Sequence, residues 1–220
     1  MRVLVVGASG GIGAALVAAA RARGDEVVGL SRSGDGLDVT DAASVTRVMG
    51  GLSGPIERVI VATGGLEIGG HPPEKSLRAL DPARLAAQFA LNAIGPALVL
   101  REAVRLLPRD RPAVFAALSA RVGSIGDNRA GGWYGYRAAK AALNQILRTA
   151  AVELARSHPQ LGVAALHPGT VQTPLTAAYL GRHPAVTPEA AAANLWRVID
   201  GLGPAQSGGF FDWAGQEIPW

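Results

Sequence analysis

Tyr136 and Lys140 are the pair in this chain whose types and spacing could do chemistry. Four positions apart in a helix, they share a face. A free phenol titrates near ~10 and exchanges protons poorly at neutral pH, whereas an adjacent ammonium favours the phenolate and makes tyrosine a usable general acid. Lys140 is one of only two lysines in the chain, the other being Lys75. A lone Tyr-x-x-x-Lys is also what an ordinary amphipathic helix shows, so the pair gains meaning only from what surrounds it.

A second element of chemistry lies at the amino terminus. The segment Val3-Leu-Val-Val-Gly7-Ala-Ser9-Gly10-Gly11-Ile12-Gly13 is an apolar run followed by a glycine-rich turn into an alanine-rich stretch. Glycines there allow a tight turn, let a pyrophosphate approach main-chain N–H groups at a helix start, and let the helix pack on the strand. The Gly-Lys-Ser/Thr ending of a phosphate-loop NTPase is missing. At the end of the next apolar run, Leu30-Ser31-Arg32-Ser33 has no acidic residue to bind a ribose 2′-hydroxyl. Arg32, with Ser9 and Ser31 nearby, suits a 2′-phosphate, so NADP(H) is expected rather than NAD(H). The plainer alternative is that Arg32 is a solvated turn residue.

Positioning these groups requires strands and helices in alternation. Apolar runs at Arg2 to Val6, Glu26 to Leu30, Leu37 to Val39, Arg58 to Ala62, Ala113 to Leu118, Val163 to Leu166 and around Phe210 read as about seven strands. Helices are expected from Ala14 to Arg23, from Asp41, from Asp81 to Leu107, from Tyr134 to Arg156 and from Pro188 to Ile199. Uniformly apolar strands alternating with helices indicate an α/β, Rossmann-type, doubly wound and mostly parallel sheet with helices on both faces. The polar stretches Gly64 to Pro73 and Gly123 to Gly132 follow strands, which places them at the carboxyl edge where such sheets bind ligands.

Composition limits the alternatives. At 220 residues, 49% hydrophobic and 17% charged, the chain has apolar surface enough for one core and is read as a single domain over 1–220. There is no cysteine, so thiol nucleophiles, disulfides and thiolate metal sites are excluded. His71, His158, His167 and His183 show no zinc-like spacing, and no metal is expected. The +4 net charge is dispersed, giving no reason to expect a nucleic-acid partner. Apolar runs such as Ala14 to Ala20 are too short to cross a bilayer. The amino terminus superficially resembles a secretory signal, but its glycines break the apolar core, and a cytoplasmic location is the expected default.

The chain resembles the short-chain dehydrogenase/reductase family over nearly its whole length. The landmarks are Gly7-x-x-x-Gly11-x-Gly13, Asp38-Val-Thr-Asp41, Asn92-Ala-Ile-Gly95-Pro96, Tyr136-x-x-x-Lys140 and Pro168-Gly169-Thr-Val171-Gln-Thr173. Within the family, Gly131 to Asn144 and the ending Ser207 to Trp220 are similar to the C-factor and Sniffer-type branch. The resemblance implies that Tyr136 protonates a substrate carbonyl while NADPH delivers hydride, or the reverse with an alcohol. It implies that Lys140 binds the nicotinamide ribose and lowers the tyrosine pKa, and that Asn92 holds a water of a proton relay. It further implies adenine contacts from Asp38 and Val39, a loop beside the cofactor at Ala62, Thr63 and Gly64, and nicotinamide or phosphate contacts near Pro168, Gly169, Val171 and Thr173. A homodimer or homotetramer built on the two long helices is also implied, and Trp133, Leu66 and Tyr179 are candidates for the substrate pocket.

Three departures from the family pattern stand out. Ala62-Thr63-Gly64-Gly65 replaces the usual asparagine-rich turn, and only Ser-Gly-Asp-Gly-Leu separates Arg32 from Asp38, which should open the adenine pocket. Ala120 occupies the place of the carbonyl-orienting serine. Ser119, one residue early, serves only if the strand ends or twists before it, and Ser124 would reach in from the loop. A second function class stays open: a C-factor-like nucleotide-binding signalling protein with vestigial activity.

Overall fold

The computed structural model describes residues 1–180 and 184–220. Six strands form one sheet, ordered β2-β1-β3-β4-β5-β6, and every pairing is parallel. They are β1 (Arg2–Val6), β2 (Glu26–Leu30), β3 (Arg58–Val61), β4 (Ala113–Leu118), β5 (Leu161–His167) and β6 (Gly209–Asp212). The helices are α1 (Gly11–Ala22), α2 (Arg32–Asp35), α3 (Ala42–Gly50), α4 (Pro82–Phe89), α5 (Gly95–Ala103), α6 (Tyr134–Leu154) and α7 (Pro188–Gly201).

Alternation along the strands sends side chains to two cores. Val6, Val61, Phe115, Ala117 and Val163 meet α3, α5 and α6 on one face, while Val5, Ile60, Val114, Ala116 and Leu166 meet α1 and α7 on the other. Both faces are therefore covered, which is why these strands read as unbroken apolar runs. The strand order turns around between β1 and β3, placing a crevice outside their carboxyl ends.

Two expectations need correction. Leu37 to Val39 is not a strand. Two of its N–H groups are taken locally, Leu37 N by the Ser31 carbonyl and Asp38 N by the Ser44 hydroxyl, rather than by a neighbouring strand, and Leu37 and Val39 are buried as core side chains. This leaves six strands in place of about seven. The helix expected over Asp81 to Leu107 is interrupted by a π-helical turn at Ala90–Ile94 and ends in a 3-10 turn at Val104–Leu106. Pro96 accounts for the π turn: it has no N–H for the Asn92 carbonyl, and its ring would press on that carbonyl in a regular α-helix. The stretch Pro82–Leu106 has the length and mean hydropathy, 1.3, to span a membrane, but Val99, Ala103 and Leu106 are buried in the core beneath it.

Candidate active site

The glycine turn leaves β1 with Gly7 at φ +92° and enters α1 at Gly11. A Cβ on Gly13 would lie 2.1 Å from the Gly7 carbonyl oxygen, and one on Gly7 would lie 3.0 Å from the Ala62 and Thr63 backbone. Helix, first strand and third strand thus approach closely only because side chains are missing. The α1 N-cap, Gly10, offers no side-chain cap to the first-turn N–H groups of Gly11, Ile12 and Gly13. Bare N–H groups at the positive end of a 12-residue helix suit an anion such as a pyrophosphate.

Around this turn the carboxyl edges of β1, β3, β4 and β5 enclose a cleft of about 400 Å³. Ser9, Gly10, Ile12, Ala62 and Gly64 line one part of it, and Ala120, Tyr136, Pro168, Gly169, Val171 and Thr173 another. The Thr173 methyl would stand 2.8 Å from a Cβ on Gly11, so the segment after β5 lies directly over the turn. Residues as far apart in sequence as Ser9 and Thr173 thereby share one opening.

Asn92 sits in the π turn, fully buried. Its Nδ2 donates to the Gly65 carbonyl (2.9 Å) and Gln88 Oε1 (2.8 Å), and its Oδ1 accepts from Gly65 N (3.1 Å). A Cβ on Gly64 would be 3.0 Å from Asn92 Oδ1 and 3.4 Å from Lys140 Nζ, so β3, the π turn and α6 converge there. Lys140 is buried, and its Nζ donates to the Leu118 carbonyl (2.8 Å) and lies 5.8 Å from the centre of the Tyr136 ring. The Tyr136 hydroxyl has no hydrogen-bond partner among the described residues.

The electrostatics of the pair differ from the expectation that lysine lowers the phenol. Burial pushes Tyr136 up to about 12 and pulls Lys140 down to about 7. Lys140 has a neutral carbonyl rather than a carboxylate as its partner, so nothing anionic offsets the cost of desolvating its charge.

Ser119 follows directly on the end of β4 and lines the cleft, its hydroxyl engaged by Asn144, whereas Ser124 is not among the lining residues. The buried Ser119 donates to Asn144 Oδ1 (2.7 Å), on the same face as Tyr136 and Lys140 and one turn further along α6. The buried Ser124 accepts from Asp127 N (3.1 Å), within its own loop. Ala120 itself lines the cleft and supplies no donor. His167, which borders the cleft, carried no signal in sequence beyond being one of four histidines. Its Nδ1 is buried without a partner, and burial holds the ring neutral, with its pKa down at about 4.

At the end of β2, Ser31 caps α2, its hydroxyl accepting from Gly34 N (2.9 Å). Ser31 N donates to Asp35 Oδ2 (2.8 Å). A carboxylate is therefore present at the end of β2 after all, folded back from one turn along; only the Ser31/Asp35 spacing hinted at it. Asp38 is engaged by the Thr40 hydroxyl (2.6 Å) and Thr40 N (2.9 Å), bonds that lower its pKa against some cost of burial, with a smaller contribution from Arg32. The Val39 side chain packs in the core, where a Cβ on Gly95 would meet it at 2.9 Å.

A family model described as enoyl-(acyl carrier protein) reductase matches residues 7–200. The chain belongs to the short-chain dehydrogenase/reductase family. This family member is similar to the 1-hydroxy-2-glutathionyl-2-methyl-3-butene dehydrogenase of Rhodococcus sp. (strain AD45), at 34% identity over 230 residues and 99% of each chain. It is similar to the C-signal protein of Myxococcus xanthus at 40% identity over 146 residues, 64% of this chain and 81% of that one. Its fold matches that of an NADPH-bound carbonyl reductase from chicken fatty liver, with a TM-score of 0.83 and 21% identity over all of this chain and 94% of the other. The expected family, its C-factor branch and the Rossmann-type parallel sheet are thus borne out, and the chain is an oxidoreductase of the short-chain type.

Proposed function

We propose that this short-chain dehydrogenase/reductase uses NADP(H) to reduce an aldehyde, ketone or quinone, or to oxidise the corresponding alcohol, with Tyr136 as general acid and base. The observation that carries the reading is the shared cleft: an uncapped helix start lies beside a half-buried phenol with a buried lysine at its ring. The cradle fits a dinucleotide because its first-turn N–H groups are left uncapped on a turn that closes this tightly only with glycine at 7, 11 and 13. NADPH, when bound, supplies hydride.

In this reading the protein's own groups handle the proton. Tyr136 is protonated throughout the neutral range and gives its proton to the oxygen of the substrate carbonyl. Lys140, when charged, stabilises the phenolate left behind. Asn92, tied to Gly65 and Gln88, keeps the loop after β3 in place beside Lys140 and is the residue to hold a relay water. Gly7, Ser9, Gly10, Gly11, Ile12 and Gly13 hold the diphosphate, Ser31, Arg32, Asp38 and Val39 the adenosine end, and Ala62 to Gly64 with Pro168, Gly169, Val171 and Thr173 the nicotinamide end. NADP(H) in place of NAD(H) rests on Arg32, with Asp35 opposing it. The reductase reading is tested by following NADPH oxidation against a panel of aldehydes, ketones and quinones, and absence of turnover with all three classes would overturn it.

Similarity to the Myxococcus C-signal and the missing donor at Ala120 favour a second reading, a nucleotide-binding signalling protein with vestigial activity. Tight NADPH binding without turnover is its expected result. A second copy of the chain is the proposed partner of α5 and α6. Between them runs an apolar groove of about 520 Å³, lined by Leu100, Val104, Ile146 and Ala150 and flanked by Arg101 and Glu153, charges that can pair across a two-fold axis. Sedimentation of wild type and Ala150→Arg tests it: the variant should be monomeric, and a monomeric wild type would refute it.

A further inference from the structure

Trp133 precedes the catalytic helix at φ 54°, ψ 41°, a left-handed conformation rare for a bulky residue. It follows Gly131 and Gly132, both also at positive φ. Such a backbone persists only when its surroundings hold it, and here they do. Glu74, buried, accepts Trp133 N at its carbonyl and Gly135 N at its carboxylate (3.1 Å). From the other side the Arg137 guanidinium donates to the carbonyls of Gly131, Gly132 and Val122.

The strained backbone aims an indole at the reacting phenol. The Trp133 ring lies 6.4 Å from that of Tyr136 at 69°, and 5.3 Å from that of Tyr179 at 72°. Tyr179 is pinned in turn through its hydroxyl to Glu67 Oε1 (3.0 Å). Three loops, carrying Glu67, Trp133 and Tyr179, therefore meet at an aromatic corner next to Tyr136. The segment following Thr173 adds Leu175, which lines the cleft, and further along Leu180 and Val186, each about 40% exposed, and among the described residues the cleft lining contains no Asp, Glu, Lys or Arg. An exposed Leu175 at the cleft, on the segment that carries Tyr179, is apolar surface of the kind a ligand covers.

We propose that Trp133 and Tyr179 form the wall that receives the body of the substrate, and that the site selects flat aromatic carbonyl compounds over open-chain aliphatic ones. Two rings near right angles offer a third ring one stacked and one edge contact, geometry a flexible alkyl chain cannot use as fully. The proposal rests on the reductase reading for the identity of the reacting group.

The test is calorimetric binding of cinnamaldehyde and nonanal, nine carbons each, to protein saturated with NADP⁺. Wild type should bind cinnamaldehyde at least tenfold more tightly. Trp133→Gly should bring the two within twofold while binding nonanal within threefold of wild type, and Trp133→Phe should keep most of the preference. Glycine accepts the left-handed backbone, so thermal melting of Trp133→Gly should match or exceed wild type. Tyr179→Leu, in a separate segment, should lower the preference at least threefold and serves should the glycine variant not fold. No aromatic preference in wild type, or a preference that survives Trp133→Gly, overturns the proposal. Turnover of both aldehydes without such a preference would sink the wall and spare the reductase. A binding preference without NADPH turnover would do the opposite.

Discussion

Restoring a hydroxyl at position 120 should raise turnover. Ala120 is partly buried at the cleft, in extended backbone (φ −149°, ψ 145°) that serine adopts freely, so Ala120→Ser adds a donor without moving the chain. Removing a preorganised oxyanion donor from an enzyme costs roughly 2.7–4 kcal/mol. A hydroxyl added to a site that did not evolve around it should recover less, near the ~1.4 kcal/mol of an ordinary hydrogen bond strengthened in the transition state, or about tenfold in kcat. The assay is steady-state NADPH oxidation at saturating carbonyl substrate, with NADPH affinity measured separately and expected within about twofold of wild type, since the change is aimed at the transition state. Ser119→Ala is the companion. Its hydroxyl is spent on Asn144, so its loss should cost about 1–3 kcal/mol of stability through the orphaned amide oxygen and change kcat less than about threefold. If Ala120→Ser leaves kcat unchanged while Ser119→Ala lowers it a hundredfold, Ser119 orients the carbonyl and the reasoning fails.

Gly13→Ala places a methyl 2.1 Å from the Gly7 oxygen and should destabilise the fold by about 1–3 kcal/mol in urea unfolding and abolish NADPH binding; retained affinity would show that the turn is not the cradle. Arg32→Ala should weaken NADPH by about tenfold and leave NADH nearly unchanged, whereas Asp35→Asn should favour NADPH over NADH, both read by fluorescence titration. The Lys140 value near 7 lies below its ordinary 10.5, so the charge is present under pH 7 and lost above it, while Tyr136, near 12, keeps its proton over the whole range. The kcat/KM of reduction measured for NADPH, which reports the free enzyme, should therefore fall as pH rises through about 7; a flat profile to pH 9 would remove Lys140 charge from the mechanism.

The sheet was legible because its strands are covered on both faces, and a strand covered in that way is apolar through its middle, with polar residues such as Arg2, Arg58 and Asp212 only at the ends. Leu37 to Val39 carries the same signature for another reason: it is a buried connection whose polar groups are met by Ser31 and Ser44. The π turn was hidden because Pro96 acts on a carbonyl four residues earlier, an effect that periodicity does not register. At the site, Tyr136, Lys140 and the glycine turn announce themselves by local spacing. Asn144, Asp35 and His167 do not, since each matters through a partner or a cleft that only the fold supplies. Ser119 rather than Ser124 lines the cleft because β4 ends at Leu118, and a one-residue shift there reverses the direction of a side chain, which the sequence alone does not fix.

The central claim is tested most directly by Tyr136→Phe, which removes one oxygen atom from the cleft. NADPH should bind within about threefold of wild type, and carbonyl reduction should fall by at least about a thousandfold, the combined loss of the proton and of the hydrogen bond that carries it. Turnover within tenfold of wild type, with binding intact, would contradict the assignment of that phenol as the acid.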